Sequence, residues 1–229
     1  MAGLGRDLSF RATAVAVLGF ALAMACVEGA VVVYLQLALG AKVGAIFPLR
    51  PAIEAGDLVL IEAGREAATL VMIGAIGSLV GRTGLERLAW GAIVFGTWDL
   101  CYYAWLQVLS GWPGSLGTVD LLFILPIPWV GPVWSPVAVS AALIGVGLAA
   151  ASTVRSGRRL IVTRRHWAAG LGGGLLVVLS YTLDTSRLFS GGMPGPYPWP
   201  LFAGGMLLAV VAAVDALRRA VPAVDIPGG

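Results

Sequence analysis

Charged side chains are scarce in this chain of 229 residues, of which only 12% are Asp, Glu, Lys or Arg. Soluble domains carry about 25%, so a water-exposed globular domain is excluded. The hydrophobic share is 59% and the mean hydropathy is +0.91, which excludes intrinsic disorder as well. The composition indicates a membrane protein whose first partner is the lipid bilayer.

Several function classes lack the residues that they need. The 15 basic residues lie near segment ends and form no continuous patch, which argues against a nucleic-acid partner. The single histidine, His166, excludes bis-histidine haem ligation and a histidine-rich zinc or di-iron bundle. Cys26 and Cys101 form no CxxC pair, and we interpret them as packing residues. No cofactor is assigned from the sequence.

Long apolar runs are abundant, and six of them reach the length of about 20 residues that a spanning helix needs. They cover approximately residues 12–38, 58–80, 88–110, 133–152, 167–189 and 201–217. The first run continues to Ala38, well past the apolar core of a cleaved signal, so we interpret it as a span. The sequence predicts one polytopic domain over residues 1–229, an all-α integral membrane protein built as a bundle of six transmembrane helices.

Basic residues alternate between the predicted loops in a way that gives an orientation. Lys and Arg concentrate on the cytoplasmic side of membrane helices. With the N-terminus inside, the outer loops hold only Lys42 and Arg50, whereas the inner flanks hold eleven arginines. The eleven are Arg6, Arg11, Arg82, Arg87, Arg155, Arg158, Arg159, Arg164, Arg165, Arg218 and Arg219. We therefore predict a protein of the cytoplasmic membrane with both termini in the cytoplasm.

The outer loops are rich in proline and tryptophan. Residues 111–136 and 194–200 carry most of the prolines, together with Trp112, Trp129 and Trp134. Proline interrupts helices and tryptophan favours the bilayer interface, so these loops are predicted to be stiff interfacial caps. Within the first of these loops, the apolar run 121–125 is predicted to be a short interfacial helix with Asp120 as its N-cap.

One of these loops contains the sequence PWVGPVW, residues 128–134. It resembles the tryptophan-rich motif of the translocator protein and tryptophan-rich sensory protein family, five-helix membrane proteins that bind porphyrins and sterol-like lipids. The resemblance covers seven residues, lacks a Phe usual in that motif and precedes the fourth predicted span. No family is assigned from it.

Ionisable residues inside a span are costly and therefore mark candidate functional sites. Seven occur: Glu28, Glu62, Arg65, Glu66, Asp99, Asp184 and Arg187. Helical spacing predicts that each helix turns one polar stripe into the bundle, and in the third helix this stripe includes Tyr102, Tyr103 and Gln107. With a rise of about 1.5 Å per residue, all seven charges lie in the outer half of the bilayer. Five carboxylates face two guanidiniums, so bound protons or a bound cation must compensate the excess.

No metal is assigned to this cluster, and a purely structural role is an alternative for part of it. Glu62 and Glu66 are spaced i, i+4 and could offer two oxygens to a hard cation, but Arg65 between them opposes it. Ion pairs of Arg65 with a glutamate and of Arg187 with Asp184 would account for two carboxylates only. Glycines four apart, Gly77 with Gly81 and Gly170 with Gly174, are predicted to permit close helix packing.

Three functions fit this pattern. The first is binding or translocation of a proton, a cation or a cationic solute in an outward-opening cavity, with Glu28 and Asp99 as the deep titrating groups and Glu62 and Glu66 at the entrance. The second is an integral-membrane enzyme that acts on a lipid or isoprenoid at the outer leaflet. The third is a non-catalytic subunit of a larger membrane complex, and a homo-oligomer is also open.

Overall fold

The fold was determined as a computed structural model, which describes residues 9–38, 56–189, 192 and 194–223. Within them the chain is mostly helical, and four helical stretches are long and apolar enough to cross a membrane. They are Phe10–Ala38, Trp134–Arg155, Arg164–Arg187 and Trp199–Arg218. Between 17% and 28% of each of their apolar windows is buried inside the protein, so most of that surface faces outward. The chain is therefore an all-α protein of membrane type.

Seven helices and four short strands make up the described residues. In chain order they are α1 (Phe10–Ala38), α2 (Gly56–Val80), α3 (Gly84–Ser110), β1 (Val119–Phe123), β2 (Trp129–Pro132), α4 (Trp134–Arg155), β3 (Arg158–Arg159), α5 (Arg164–Thr182), α6 (Thr185–Phe189), α7 (Trp199–Arg218) and β4 (Val221–Pro222). Helices α2 and α3 are not among the four apolar ones, although they have 25 and 27 residues. They carry most of the ionisable residues singled out in the sequence.

The fifth predicted span is not one continuous helix. α5 ends at Thr182, and the short α6 begins at Thr185 after a turn. The Thr185 hydroxyl bonds to the carbonyl of Thr182 and to that of Pro128, at 2.8 Å each. These contacts hold the turn against the loop before β2. Helical periodicity cannot predict the contact between Thr185 and Pro128, because the two residues are far apart in the sequence.

Helix α3 is the centre of the bundle, since it packs against α1, α2 and α4. Its side chains Trp90, Ile93 and Val94 are fully buried in the main apolar cluster. α5 packs against α7, and this pair contacts the rest through α4 and β2. The arrangement places the polar face of α3 opposite those of α1 and α2.

Glycines set the close helix contacts. A Cβ on Gly77 would lie 2.6 Å from the Arg87 carbonyl oxygen, and Gly81 lies against Arg87 as well, so that predicted pair is confirmed. The predicted pair Gly170 and Gly174 is wrong, because a Cβ there would meet nothing within 4 Å. Gly173 makes the contact instead, where a Cβ would lie 2.6 Å from the Gly205 carbonyl oxygen. The spacing identified the right segment but the wrong face.

The predicted short helix over 121–125 is also wrong. β1 and β2 form an antiparallel hairpin in which Asp120 pairs with Gly131 and Leu121 with Val130. Pro126 and Pro128 follow the apolar run at once and leave too few backbone donors for a helix, whereas they suit a turn between two strands. Asp120 is consequently a strand residue and not a helix cap.

The described arginines other than Arg65 and Arg187 lie together at one end of the bundle, which we call the arginine end. It joins the start of α1, the α2–α3 turn, the α4–α5 connection and the end of α7. The contacts that join them are Phe10 with Trp90, Arg155 with Glu86, the β3–β4 pairing and His166 with Asp215. Arg6, Lys42 and Arg50 lie outside the described residues. The opposite end holds the β1–β2 hairpin, and we call it the hairpin end.

A buried carboxylate anchors the arginine end. Glu86 is fully buried at the start of α3 and accepts hydrogen bonds from Arg155 Nε at 2.5 Å and Trp90 Nε1 at 3.2 Å. It also accepts the Arg82 backbone N–H at 2.8 Å. Three parts of the chain, the α2–α3 turn, α3 and α4, therefore meet at one side chain.

Candidate functional site

A cavity of about 260 Å³ lies at the hairpin end, between α1, α2, α3 and the β1–β2 hairpin. Its wall contains five carboxylates, one guanidinium and a group of aromatic rings. The acidic residues are Glu28, Glu62, Glu66, Asp99 and Asp120, the basic residue is Arg65, and the rings belong to Trp98, Tyr102, Tyr103, Trp112 and Phe123. Seven of the ten residues predicted for the site line this cavity.

Arg65 is the internal counter-ion of the cavity. Its guanidinium forms ion pairs with Glu28 from α1 and with Glu62 one turn earlier on α2, where Nε lies 2.9 Å from a carboxylate oxygen. The Thr69 hydroxyl donates to the second oxygen of Glu28 at 3.2 Å. The stripe predicted on α2 thus faces α1. The guanidinium joins the two helices, and Glu28 is a partner of Arg65 rather than an unpaired deep group.

Glu66 holds the hairpin onto α2. Its carboxylate accepts the backbone N–H of Ile124 at 2.9 and 3.0 Å and that of Leu125 at 3.1 Å. These two donors belong to the turn between β1 and β2 and have no partner in the strand ladder. The side chain is 5% exposed, so these bonds satisfy both a buried charge and two backbone groups.

Asp99 and Asp120 are the two carboxylates of the cavity whose hydrogen-bond donors are neutral side-chain hydroxyls or neutral backbone groups. Asp99 accepts the Ser140 hydroxyl from α4 at 2.8 Å, and Asp120 accepts the Tyr103 hydroxyl from α3 at 3.0 Å. Neither forms an ion pair with any residue that the structure describes. They are the acidic groups of the cavity whose charge is least compensated.

Burial raises the pKa of the Asp120 carboxyl to about 7, against the lowering effect of the Tyr103 hydrogen bond, and nearby Asp99 adds to the increase. The ordinary aspartate value is 3.8. Since the folded protein then holds a proton that the unfolded chain has already lost, Asp120 makes folding less favourable as pH rises from about 4 to 7.

We therefore expect Asp120→Asn to lose part of the pH dependence of stability. Asparagine can still accept the Tyr103 hydroxyl, and it does not titrate. Thermal unfolding in detergent, followed by circular dichroism between pH 4 and pH 9, should show the parent gaining stability relative to the variant as pH falls below about 7. Parallel curves for the two proteins across that range would contradict the expectation.

Three predicted site residues lie away from the cavity. Gln107 is exposed on α3. Asp184 pairs with Arg187 at 3.4 Å and accepts the Gly195 backbone N–H at 2.8 Å, which links the α5–α6 turn to the segment before α7. The ion pair between Asp184 and Arg187 that the sequence offered is therefore present, and it lies outside the cavity.

Asp120 and the rings of Trp98, Trp112 and Phe123 were missed as site residues. Trp98 stacks on Tyr102 with ring centroids 6.4 Å apart, and Tyr103 lies 6.2 Å from Trp112. The indole N–H groups of Trp98 and Trp112 have no hydrogen-bond partner among the described residues. Trp98 directly precedes Asp99 in the sequence. Its position beside a predicted site residue was a usable signal, but an argument that follows only the polar residues of a helix face leaves tryptophan out.

The cavity combines negative charge with aromatic faces. Five carboxylates against one guanidinium leave a formal charge of −4 if every group is ionised, and burying unpaired charge is expensive. Among the described residues, no group of three or more His, Cys, Asp or Glu is placed to hold a metal ion. Carboxylates beside tryptophan and tyrosine faces are the combination that attracts organic cations.

The chain was compared with protein-family models, curated proteins and solved structures, and none of the three comparisons gave a match. The interpretation of the site rests on its own geometry.

Proposed function

We propose that this is a multi-pass protein of the cytoplasmic membrane that binds a small cation, most favourably an organic ammonium ion, in an outward-opening cavity. The observation that carries the proposal is the aromatic cavity in which five carboxylates face one guanidinium. Asp99 and Asp120 are the recognition groups, because Arg65 already compensates Glu28 and Glu62 and the hairpin turn satisfies Glu66.

Six spans are the arrangement that we propose for the bundle. At about 1.5 Å per residue, α2 and α3 are long enough to cross a hydrocarbon core of about 30 Å. Their charged side chains Glu62, Arg65, Glu66 and Asp99 line the cavity between helices, where charge in a membrane protein is tolerated. The bias of eleven basic residues against two then directs the hairpin end outward.

The chemistry of the wall favours an ammonium ion over a bare proton as the occupant. Tryptophan and tyrosine faces stabilise a cation by up to about 2 kcal/mol when the site is desolvated. The volume of about 260 Å³ is below that of pockets for drug-sized ligands, about 300–1,000 Å³, so the solute is small. Before a cation enters, a proton on Asp120 reduces the negative charge of the cavity, and the cation displaces that proton.

Binding and translocation make different demands on the bundle. Towards the arginine end, Trp90, Ile93 and Val94 are fully buried and the Glu86–Arg155 pair ties α3 to α4. A solute could cross only if this packed half opened. Binding is therefore the first activity to test, and translocation the second.

Binding is tested with tetramethylammonium as the probe and sodium as the comparison, using tryptophan fluorescence of the detergent-purified protein. Trp98 and Trp112 line the cavity and report its occupation. We expect Asp99→Asn to weaken tetramethylammonium binding at least about tenfold. This corresponds to the loss of roughly 1.4 kcal/mol of binding free energy with the negative charge. The matched control is Asp184→Asn, an aspartate that lies outside the cavity.

Two results would contradict the proposal. One is that tetramethylammonium does not bind the parent protein at millimolar concentration. The other is that Asp99→Asn and Asp184→Asn lower its affinity equally. Translocation is tested in proteoliposomes, where a tetramethylammonium gradient should drive proton flux through the parent and none through Asp99→Asn; absence of flux in the parent removes translocation and leaves binding.

A further inference from the structure

A second concave surface lies at the arginine end, between the start of α5 and the end of α7. It is an open groove of about 920 Å³ whose mouth carries Arg164, Arg165, Arg218 and Arg219. The wall below the mouth is apolar and includes Ala169, Leu208 and Val211. A cationic rim above an apolar trough is thus built from two helices of spanning character.

The positive charge of this rim is not compensated within the described residues. Asp215 is the acidic residue of the groove, and it already bonds to Arg219 Nε at 2.8 Å and to His166 Nε2 at 2.8 Å. Arg164, Arg165 and Arg218 are exposed and form no ion pair with any described residue. Four arginines and Asp215 therefore give the mouth a formal net charge of +3 with His166 neutral.

The apolar wall is accessible along the same groove. Leu208 is 42% exposed and Val211 is 56% exposed, so neither is covered by another helix. Because α5 begins and α7 ends at the rim, the arginines lie at the level where spanning helices leave the hydrocarbon. A headgroup at the rim would have its acyl chain beside Leu208 and Val211.

We propose that this groove binds an anionic phospholipid of the leaflet that meets the arginine end. Arginine forks match phosphate oxygens, and basic pockets between spanning helices recognise acidic headgroups. A free phosphate would use only the rim, whereas a phospholipid uses the rim and the trough together. The inference is independent of the cavity at the hairpin end and of whatever binds there.

The test is native mass spectrometry of the detergent-purified protein titrated with palmitoyl-oleoyl phosphatidylglycerol. Phosphatidylcholine with the same chains is the neutral comparison, and inorganic phosphate is the competitor. We expect Arg164→Gln/Arg218→Gln to bind phosphatidylglycerol about tenfold or more weakly, since each arginine near an acidic surface contributes about a factor of five. The control Arg11→Gln/Arg159→Gln removes two exposed charges at the same end but outside the groove.

A third variant separates the trough from the rim. Val211→Gln keeps every charge and places a polar amide where the acyl chain would lie; we expect it to weaken phosphatidylglycerol binding as well. Arg165→Gln serves as the single-site alternative if the double variant does not fold. The proposal is overturned if the parent binds both lipids equally, if the control loses as much affinity as the groove variant, or if inorganic phosphate displaces the lipid and Val211→Gln has no effect.

Discussion

Arg155→Met is expected to lower the free energy of unfolding by about 3–5 kcal/mol, the usual cost of removing one partner of a buried ion pair. Glu86 is fully buried and accepts the Arg155 Nε hydrogen bond at 2.5 Å. The Arg82 backbone N–H and the Trp90 indole, which also donate to Glu86, are neutral. The measurement is unfolding of the purified protein by a denaturing detergent, followed by circular dichroism.

Two controls separate this effect from a general loss of arginine. Arg159→Met removes an exposed arginine at the same end, and we expect a change within about 0.5 kcal/mol. The double variant Glu86→Gln/Arg155→Met removes both charges and should recover part of the loss. A cost for Arg155→Met no larger than that for Arg159→Met would show that the pair contributes nothing beyond packing.

Gly96→Ala is expected to destabilise the protein by about 1–3 kcal/mol through overpacking of α3 against α4. A Cβ at this position would lie 2.6 Å from the Ser140 carbonyl oxygen and 2.9 Å from Ile144 Cγ1, so the two helices must separate. The Ser140 hydroxyl donates to Asp99. Separation of the helices therefore also alters the cavity, and we expect tetramethylammonium to bind the variant more weakly.

The matched control is Gly91→Ala on the same helix. A Cβ on Gly91 would meet nothing within 4 Å, and alanine favours a helix interior by up to about 1 kcal/mol over glycine. We expect this variant to be as stable as the parent or more stable. Thermal unfolding of the three proteins in one detergent checks the order, and equal stability of the two variants would refute the packing argument.

Hydropathy and helical spacing were enough to predict the long helices and the polar faces of α2 and α3. They predicted that Glu62, Arg65, Glu66, Asp99 and Tyr103 face the interior, and these residues line one cavity. This success has a physical reason, because charge in an apolar bundle must turn inward whatever its partner is. The face of a helix is a local property of the sequence.

Which residue a side chain or a strand pairs with depends on contacts that are distant in the sequence, and the sequence was insufficient to predict these partners. Spacing offered the Asp184–Arg187 pair but could not tell that it lies away from the cavity, or that Arg65 also pairs with Glu28 on another helix. The hairpin was missed for a related reason. A run such as 121–125 is apolar enough for either a helix or a strand, and its pairing with residues 129–132 decides between them.

Arg65 has a consequence for what the cavity can discriminate. It is a positive charge that is covalently part of the chain, so it cannot dissociate from the cavity. Two of the five acidic groups form ion pairs with it. Any cationic ligand competes with the Arg65 guanidinium for the same carboxylates. Selectivity is then set partly by repulsion, since a guest must place its own charge near Asp99 and Asp120 and keep its uncharged part towards the guanidinium. A neutral residue at position 65 would allow the cavity to bind more highly charged cations, because the repulsion by the guanidinium would be lost.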